Sequence, residues 1–248
     1  MVQLKKHYLC KVNCIEINHL TIGYRHREVA SNLSACLKGG GLTCLIGRNG
    51  LGKTTLLRTL AGFQPALSGE INLVIGEQSH RLDVLSRVHL SRLVSVVLTE
   101  KIDVTHITVN EMVGMGRMPY TGFWGLQSEA DRLVVSEALH DVGISSLAQR
   151  DVSTLSDGER QKVMIAKAQA QQTPVVLLDE PTAFLDYPSK VNMMKLLAKM
   201  AHEQGKIVLL STHDLDIALR HADQLLTMDE GLKFVTKDAL AAELDCLK

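Results

Sequence analysis

The sequence predicts an α/β fold on a mainly parallel sheet, with an antiparallel β part at its start and an inserted helical subdomain. Three observations predict it. Short apolar runs, Leu42-Thr43-Cys44-Leu45-Ile46, Val175-Val176-Leu177-Leu178 and Ile207-Val208-Leu209-Leu210-Ser211, alternate with helical stretches. Such runs suit strands buried on both faces, and their alternation with helices is the pattern of a parallel α/β sheet. Residues 14–37 instead alternate apolar and polar positions, the pattern of half-buried antiparallel strands. From about 105 to 152 apolar residues recur at three-to-four spacing, as at Val109, Met112 and Val113 and again at Leu133, Val134, Ala138 and Leu139.

The elements follow in order. Residues 1–13 are polar and irregular and read as an N-terminal extension. A helix is expected over 53–62, closed by Gly62. More strand follows within 70–98, at Ile71 to Ile75 and Leu93 to Leu98, around a polar stretch. After the helical insert come the strand at Val175, a helix over 189–203, the strand at Ile207 and a helix over 214–221. Leu225 to Val235 reads as a hairpin turning at Asp229-Glu230-Gly231, since Asp and Gly supply tight turns. The chain thus divides into a core over about 14–98 and 153–236 and a helical subdomain over about 105–152, in one domain spanning 14–248.

Composition narrows the function. With 248 residues the chain can bury a sizeable core, and 46% hydrophobic with 22% charged residues is not a disordered composition. The 27 basic and 27 acidic residues balance, and aromatic residues are only 4%. That makes the chain a poor general nucleic-acid binder and argues against a base-stacking surface or a sugar-binding groove. No stretch reaches the length of a membrane span, and the charged start lacks the apolar block of a signal peptide, so the chain is expected to stay in the cytosol. The five cysteines fit a reducing compartment, and Cys10 and Cys14 have no nearby partners to complete a metal set.

Two motifs carry the chemistry. Gly47-Arg48-Asn49-Gly50-Leu51-Gly52-Lys53-Thr54-Thr55 fits G-x-x-x-x-G-K-[ST] between an apolar strand and a helix, the context a phosphate cradle requires. Its glycines let successive N–H groups face one anion, and the helix start adds its positive dipole end. Lys53 is expected to reach the β- and γ-phosphates of a nucleotide, and the Thr54 hydroxyl to hold Mg²⁺. Val175-Val176-Leu177-Leu178-Asp179-Glu180 places two carboxylates at the C-terminal end of a buried strand, the edge where open parallel sheets bind ligands. Asp179 is expected to hold Mg²⁺ through water and Glu180 to take a proton from the attacking water. By itself Asp179-Glu180-Pro181 would read as a solvated turn. The cradle at Lys53 tips it toward a site.

With these motifs in place the chain resembles an ATP-binding cassette (ABC) ATPase of the P-loop NTPase class over about residues 14–236. Leu155-Ser156-Asp157-Gly158-Glu159 resembles the family's LSGGQ signature and differs at Asp157 and Glu159. Ser156 and Glu159 also have the spacing of a capping box, so the signature opens a helix. Pro181-Thr182-Ala183-Phe184-Leu185-Asp186 resembles the D-loop, His213 the switch histidine that contacts the γ-phosphate, and Tyr24 the aromatic that stacks on adenine. Packing along its strand is the alternative for Tyr24. One position departs from the family: where the Q-loop Gln follows the strand near Leu98, the chain reads Val97-Leu98-Thr99-Glu100-Lys101. Thr99 or Glu100 could offer an oxygen to Mg²⁺ or its water.

The resemblance implies an ATPase using ATP and Mg²⁺, working as a head-to-tail homodimer. Each nucleotide then lies between one cradle and Ser156, Asp157, Gly158 and Glu159 of the other subunit. Residues 108–120 (Thr-Val-Asn-Glu-Met-Val-Gly-Met-Gly-Arg-Met-Pro-Tyr) resemble a stretch of the ATPases that energise importers of iron-siderophore, haem and vitamin B12. The same stretch could also be only a helix with a Gly/Pro exit turn. The importer reading implies polytopic permease subunits as partners, a substrate-binding protein acting indirectly, and peripheral attachment at the cytoplasmic face of the inner membrane. The alternative is a non-transport cassette on a soluble partner, as in iron-sulfur cluster assembly. Phe123 and Trp124 are a candidate partner contact or an anchor of the subdomain core.

Overall fold

A computed structural model describes residues 13–245 except 26, 100–103, 123–124, 184 and 230. Residues 1–12, Glu100, Phe123 and Trp124 therefore lie outside the described residues.

The chain begins with β1 (Cys14–Tyr24) and β2 (Arg27–Lys38), which with β4 (Ser68–Ile75) and β5 (Gln78–Arg81) form an antiparallel sheet in the order β2-β1-β4-β5. The central sheet has the order β10-β9-β3-β8-β7-β6. It contains β3 (Gly41–Ile46), β6 (Val94–Val97), β7 (Val175–Asp179), β8 (Ile207–Ser211), β9 (Gln224–Asp229) and β10 (Gly231–Val235). Every pairing in it is parallel except the β9–β10 hairpin. This is the α/β architecture that the sequence predicts.

The central strands are buried along their whole length, β7 and β8 at every residue. Their side chains alternate between two cores, as strand geometry requires. Leu42, Cys44, Val176, Leu178, Val208 and Leu210 face the helices α3 (Val109–Gly114), α4 (Glu129–Asp141), α5 (Asp157–Ala170), α6 (Tyr187–Gln204) and α7 (Leu215–His221). Leu45, Val175, Leu177, Ile207, Leu209 and Leu226 face the antiparallel sheet and α1 (Lys53–Leu60). Burying each such side chain is worth about 1.5–3 kcal/mol, which fixes the register of the sheet and the face that every strand presents.

Two helices go beyond the sequence expectation. α2 (Arg87–Leu93) starts at Ser86, whose hydroxyl accepts the His89 N–H; it has no fully buried residue, and only Leu90 and Leu93 pack against the core, a stripe too short to read. α8 (Lys237–Asp245) follows the hairpin. The expected helices over 53–62, 189–203 and 214–221 end within two residues of the observed ones.

The helical part is held by local chemistry. α3, α4 and α5 each start with a capping box: Thr108 with Glu111, Ser128 with Asp131, and Ser156 with Glu159. Each box satisfies N–H groups that a helix start leaves open. Gly116 lies against α5, and a Cβ there would come within 2.4 Å of the Lys167 carbonyl oxygen. That contact brings Arg117 to a buried position, where its Nε donates to Asp131 at 2.9 Å and its Nη1 to the Ala170 carbonyl at 2.8 Å. The Ser128 hydroxyl and then Arg117 hold the Asp131 carboxyl down to about 2. Removing one partner of such a pair costs about 3–5 kcal/mol. Residues 108–120 therefore form a hub joining three helices.

Lys206, just before β8, is 7% exposed and lines a polar cavity of about 280 Å³ with Glu137, Asp141 and Gln169 at the N-terminal edge of the parallel sheet. Burial lowers its amine from 10.5 to about 8. The unfolded chain binds the proton more tightly, so wild-type stability rises with pH between those values and carries the full penalty below them. Lys206→Met is expected to raise the unfolding free energy at pH 7 by about 2–3 kcal/mol. Urea denaturation at several pH values checks this: the advantage should shrink between pH 8 and 10.5.

Candidate functional site: a nucleotide cradle at the carboxyl edge of the sheet

The cradle leaves β3 at Ile46 and enters α1 at Lys53. Gly52 caps α1 with φ +102°, a left-handed conformation, and a Cβ there would lie 2.6 Å from Cγ1 of Val29. Conformation and space both require glycine at this position. Lys53 is 7% exposed, and its Nζ donates to the carbonyls of Gly47 at 2.7 Å and Arg48 at 3.0 Å. Burial pulls its ammonium below the usual lysine range, while the carboxylates of Glu180 and Asp179 pull it back up. The loop thus holds a desolvated cation beside two acids.

Strand register brings the acids to it. Asp179 continues the face of Val175 and Leu177, the face packed toward α1. Its carboxylate therefore meets the start of that helix: the Thr54 hydroxyl donates to Oδ2 at 2.9 Å. β7 and β8 pair Asp179 with Ser211, whose hydroxyl donates to Oδ1 at 2.6 Å and accepts the Glu180 N–H at 3.0 Å. β6 ends beside Leu178, which puts Thr99 within reach, and its hydroxyl donates to Oδ2 at 3.1 Å. Glu180 takes φ +49°, a left-handed conformation that costs a non-glycine residue about 1–3 kcal/mol and tends to occur at functional sites. Its Oε2 lies 2.8 Å from Nδ1 of His213.

These groups surround a cavity of about 340 Å³ lined by Asn49, Gly50, Gly52, Lys53, Thr54, Thr55, Thr99, Asp179 and Glu180, with Val29. The hydroxyls of Thr54 and Thr99 and the Asp179 carboxylate are hard oxygen donors suited to Mg²⁺. Among the described residues no group of three His, Cys, Asp or Glu could hold a metal by itself. Mg²⁺ takes one or two carboxylates and completes its shell with water and substrate phosphate.

A family model for ABC transporters matches residues 30–183. The chain belongs to the ABC transporter family. The achromobactin transport ATP-binding protein CbrD of Dickeya dadantii is 36% identical over 223 residues, covering 90% of this chain and 81% of that protein. The iron(3+)-hydroxamate import ATP-binding protein FhuC of Bacillus subtilis is 32% identical over 233 residues, covering 94% and 84%. Among solved structures, cbiO1 of Clostridium perfringens, part of the ABC transporter complex cbiONQ, superimposes with a TM-score of 0.79 at 26% identity, covering 94% of this chain and 92% of that one.

The other predicted positions of the ABC cassette lie outside this cavity. Ser156, Asp157, Gly158 and Glu159 open α5, and the Ser156 hydroxyl donates to Glu159 Oε2 at 2.8 Å. Asp186 caps α6 by accepting the Ser189 N–H at 3.0 Å. Tyr24 ends β1 and is 51% exposed, so it is not a core packing residue of its strand. Sequence reading missed Ser211, whose contribution depends on a strand pairing across 32 residues. The only available signal was its place at the end of an apolar run two residues before His213. Ser211→Ala leaves one Asp179 oxygen and the Glu180 N–H without this partner. It is expected to lower the unfolding free energy by about 1–3 kcal/mol. Chemical denaturation measures it, and an unchanged midpoint would mean the bridge contributes nothing.

Proposed function

We propose that this chain is the ATP-hydrolysing subunit of a membrane importer of iron-siderophore, haem or cobalamin type. The observation that carries the chemistry is the meeting of Lys53, Thr54, Asp179 and Glu180 in one cavity, with His213 held against Glu180. Similarity to CbrD and FhuC over most of both chains supports the importer class. No described helix is long and apolar enough to cross a membrane. In this reading the transport path would belong to permease partners. A groove of about 570 Å³ with Leu90, Val94, Val96 and the exposed Phe63 on its walls offers such a partner a surface. It is bordered by Gln171, whose carbonyl accepts the Tyr120 hydroxyl of the 108–120 hub. A substrate-binding protein would act through the permease, with this subunit peripheral at the cytoplasmic face of the membrane.

In this reading residues 14–248 form one ABC ATPase domain, with the core over 14–98 and 153–236 and the helical subdomain over 105–152. Tyr24 stacks on adenine, using the exposed face of its ring. The loop 47–55 wraps the phosphates with backbone N–H groups, and Lys53 exchanges its carbonyl partners for β- and γ-phosphate oxygens. Thr54, and Asp179 through water, would hold Mg²⁺, which when bound would offset charge on the phosphate oxygens. Glu180 accepts the proton of the water that attacks the γ-phosphorus, while the β–γ bridging oxygen leaves with ADP. His213, oriented through Nδ1 by Glu180, turns its other ring nitrogen to the γ-phosphate. The signature residues at the start of α5 would act in trans across a head-to-tail homodimer, with Asp186 in the D-loop between the two sites.

Glu180→Gln keeps the side chain's size and removes its basicity. It is expected to bind ATP with wild-type affinity and to turn over at least about 100-fold more slowly. A steady-state phosphate-release assay decides this, and wild-type turnover would remove Glu180 from its role. For the partner, gentle purification from native membranes followed by mass spectrometry is expected to bring down a polytopic permease. Recovery of a soluble iron-sulfur scaffold without a permease would overturn the importer reading and leave the ATPase chemistry intact.

A further inference from the structure

Thr99 stands where the family has a glutamine, and its side chain is too short to do what a glutamine does. It uses its hydroxyl on Asp179 Oδ2 at 3.1 Å, the same oxygen that receives Thr54 at 2.9 Å, while Ser211 holds Oδ1 at 2.6 Å. Three hydroxyls from three separate segments thus fix the carboxylate plane. Two of those segments are rigid: Thr54 starts α1 and Ser211 ends β8. Thr99 alone belongs to a loop, two residues past β6. Its hydroxyl hydrogen is spent on the carboxylate, and Thr99 also lines the nucleotide cavity.

We propose that Thr99 is a positioning residue that acts through Asp179, so that the loop after β6 governs how strongly Mg²⁺ supports nucleotide binding. This rests on the reading of Thr54 and Asp179 as the Mg²⁺-holding pair. A displacement of the loop withdraws one donor from Oδ2 and lets the carboxylate turn about its last bond. The metal-dependent part of nucleotide affinity then falls, while the part due to the cradle's N–H groups and Lys53 stays. A glutamine reaching past the carboxylate toward metal or water would link the loop to the nucleotide directly; here the link runs through the carboxylate.

The test is equilibrium titration of the purified chain with adenylyl imidodiphosphate, whose β–γ link resists hydrolysis, once with Mg²⁺ and once with EDTA. Thr99→Ala and Thr99→Val are expected to weaken binding with Mg²⁺ by about five- to ten-fold, the scale of one net hydrogen bond. Binding in EDTA should stay within about two-fold of wild type, and Thr99→Ser should restore the Mg²⁺-dependent affinity. Thr99→Val binding like wild type in Mg²⁺, or losing affinity equally in EDTA, overturns the proposal. Wild type itself showing no Mg²⁺ dependence would instead overturn the assignment of Thr54 and Asp179.

Discussion

The carboxylate of Asp179 is the point on which the site depends. It receives the hydroxyls of Thr54, Thr99 and Ser211, so it ties together the start of α1, the loop after β6 and the end of β8. An ionised carboxylate offers about four lone-pair directions, and three donors leave room for one more electropositive neighbour. Ser211 extends the same network to the Glu180 backbone, and Glu180 reaches His213. Charge, orientation and backbone strain at the cavity edge therefore form one system, and a change at any member is felt at the others.

How much of this could be read in the sequence depends on how local the cause is. The cradle from Gly47 to Thr55 is legible because glycine spacing, a preceding apolar run and a following helix all lie within a few residues. Asp179 and Glu180 are legible because they end an apolar run. Ser211 is not, since its role arises from the β7–β8 register. Thr99 could be placed near the site, but its hydrogen bond to Asp179 follows from the pairing of β6 with β7. α2 escaped because Arg87–Leu93 turns only Leu90 and Leu93 toward the core, neither of them fully buried, and its start is marked only by Ser86. The hairpin from Gln224 to Val235 was legible from its turn residues, although Glu230 itself is outside the described residues.

The stretch 108–120 shows how a family-like motif can have a folding cause. Thr108 and Glu111 cap a helix, Val109, Met112 and Val113 fill the core, and Gly116 admits the backbone of α5. Arg117 then joins α4 to the end of α5 in a buried network, and its guanidinium lies 4.1 Å from the centre of the Tyr120 ring. These residues together pack three helices into one unit. Similarity along this stretch reports on how the helical part is built.

The alternation of faces along β7 also limits how the gene can vary in length. Inserting one residue between Val175 and Asp179 would swing the carboxylate to the side of α3–α7, among Val176, Leu178 and their apolar neighbours. Inserting two would restore its side but carry it about 6–7 Å beyond Thr54, out of reach of every hydroxyl that now holds it. Codon gains and losses are therefore barred from the interiors of β7 and β8. They are tolerated more readily where no strand counts residues and no core side chain is placed, as in the segment between β5 and α2.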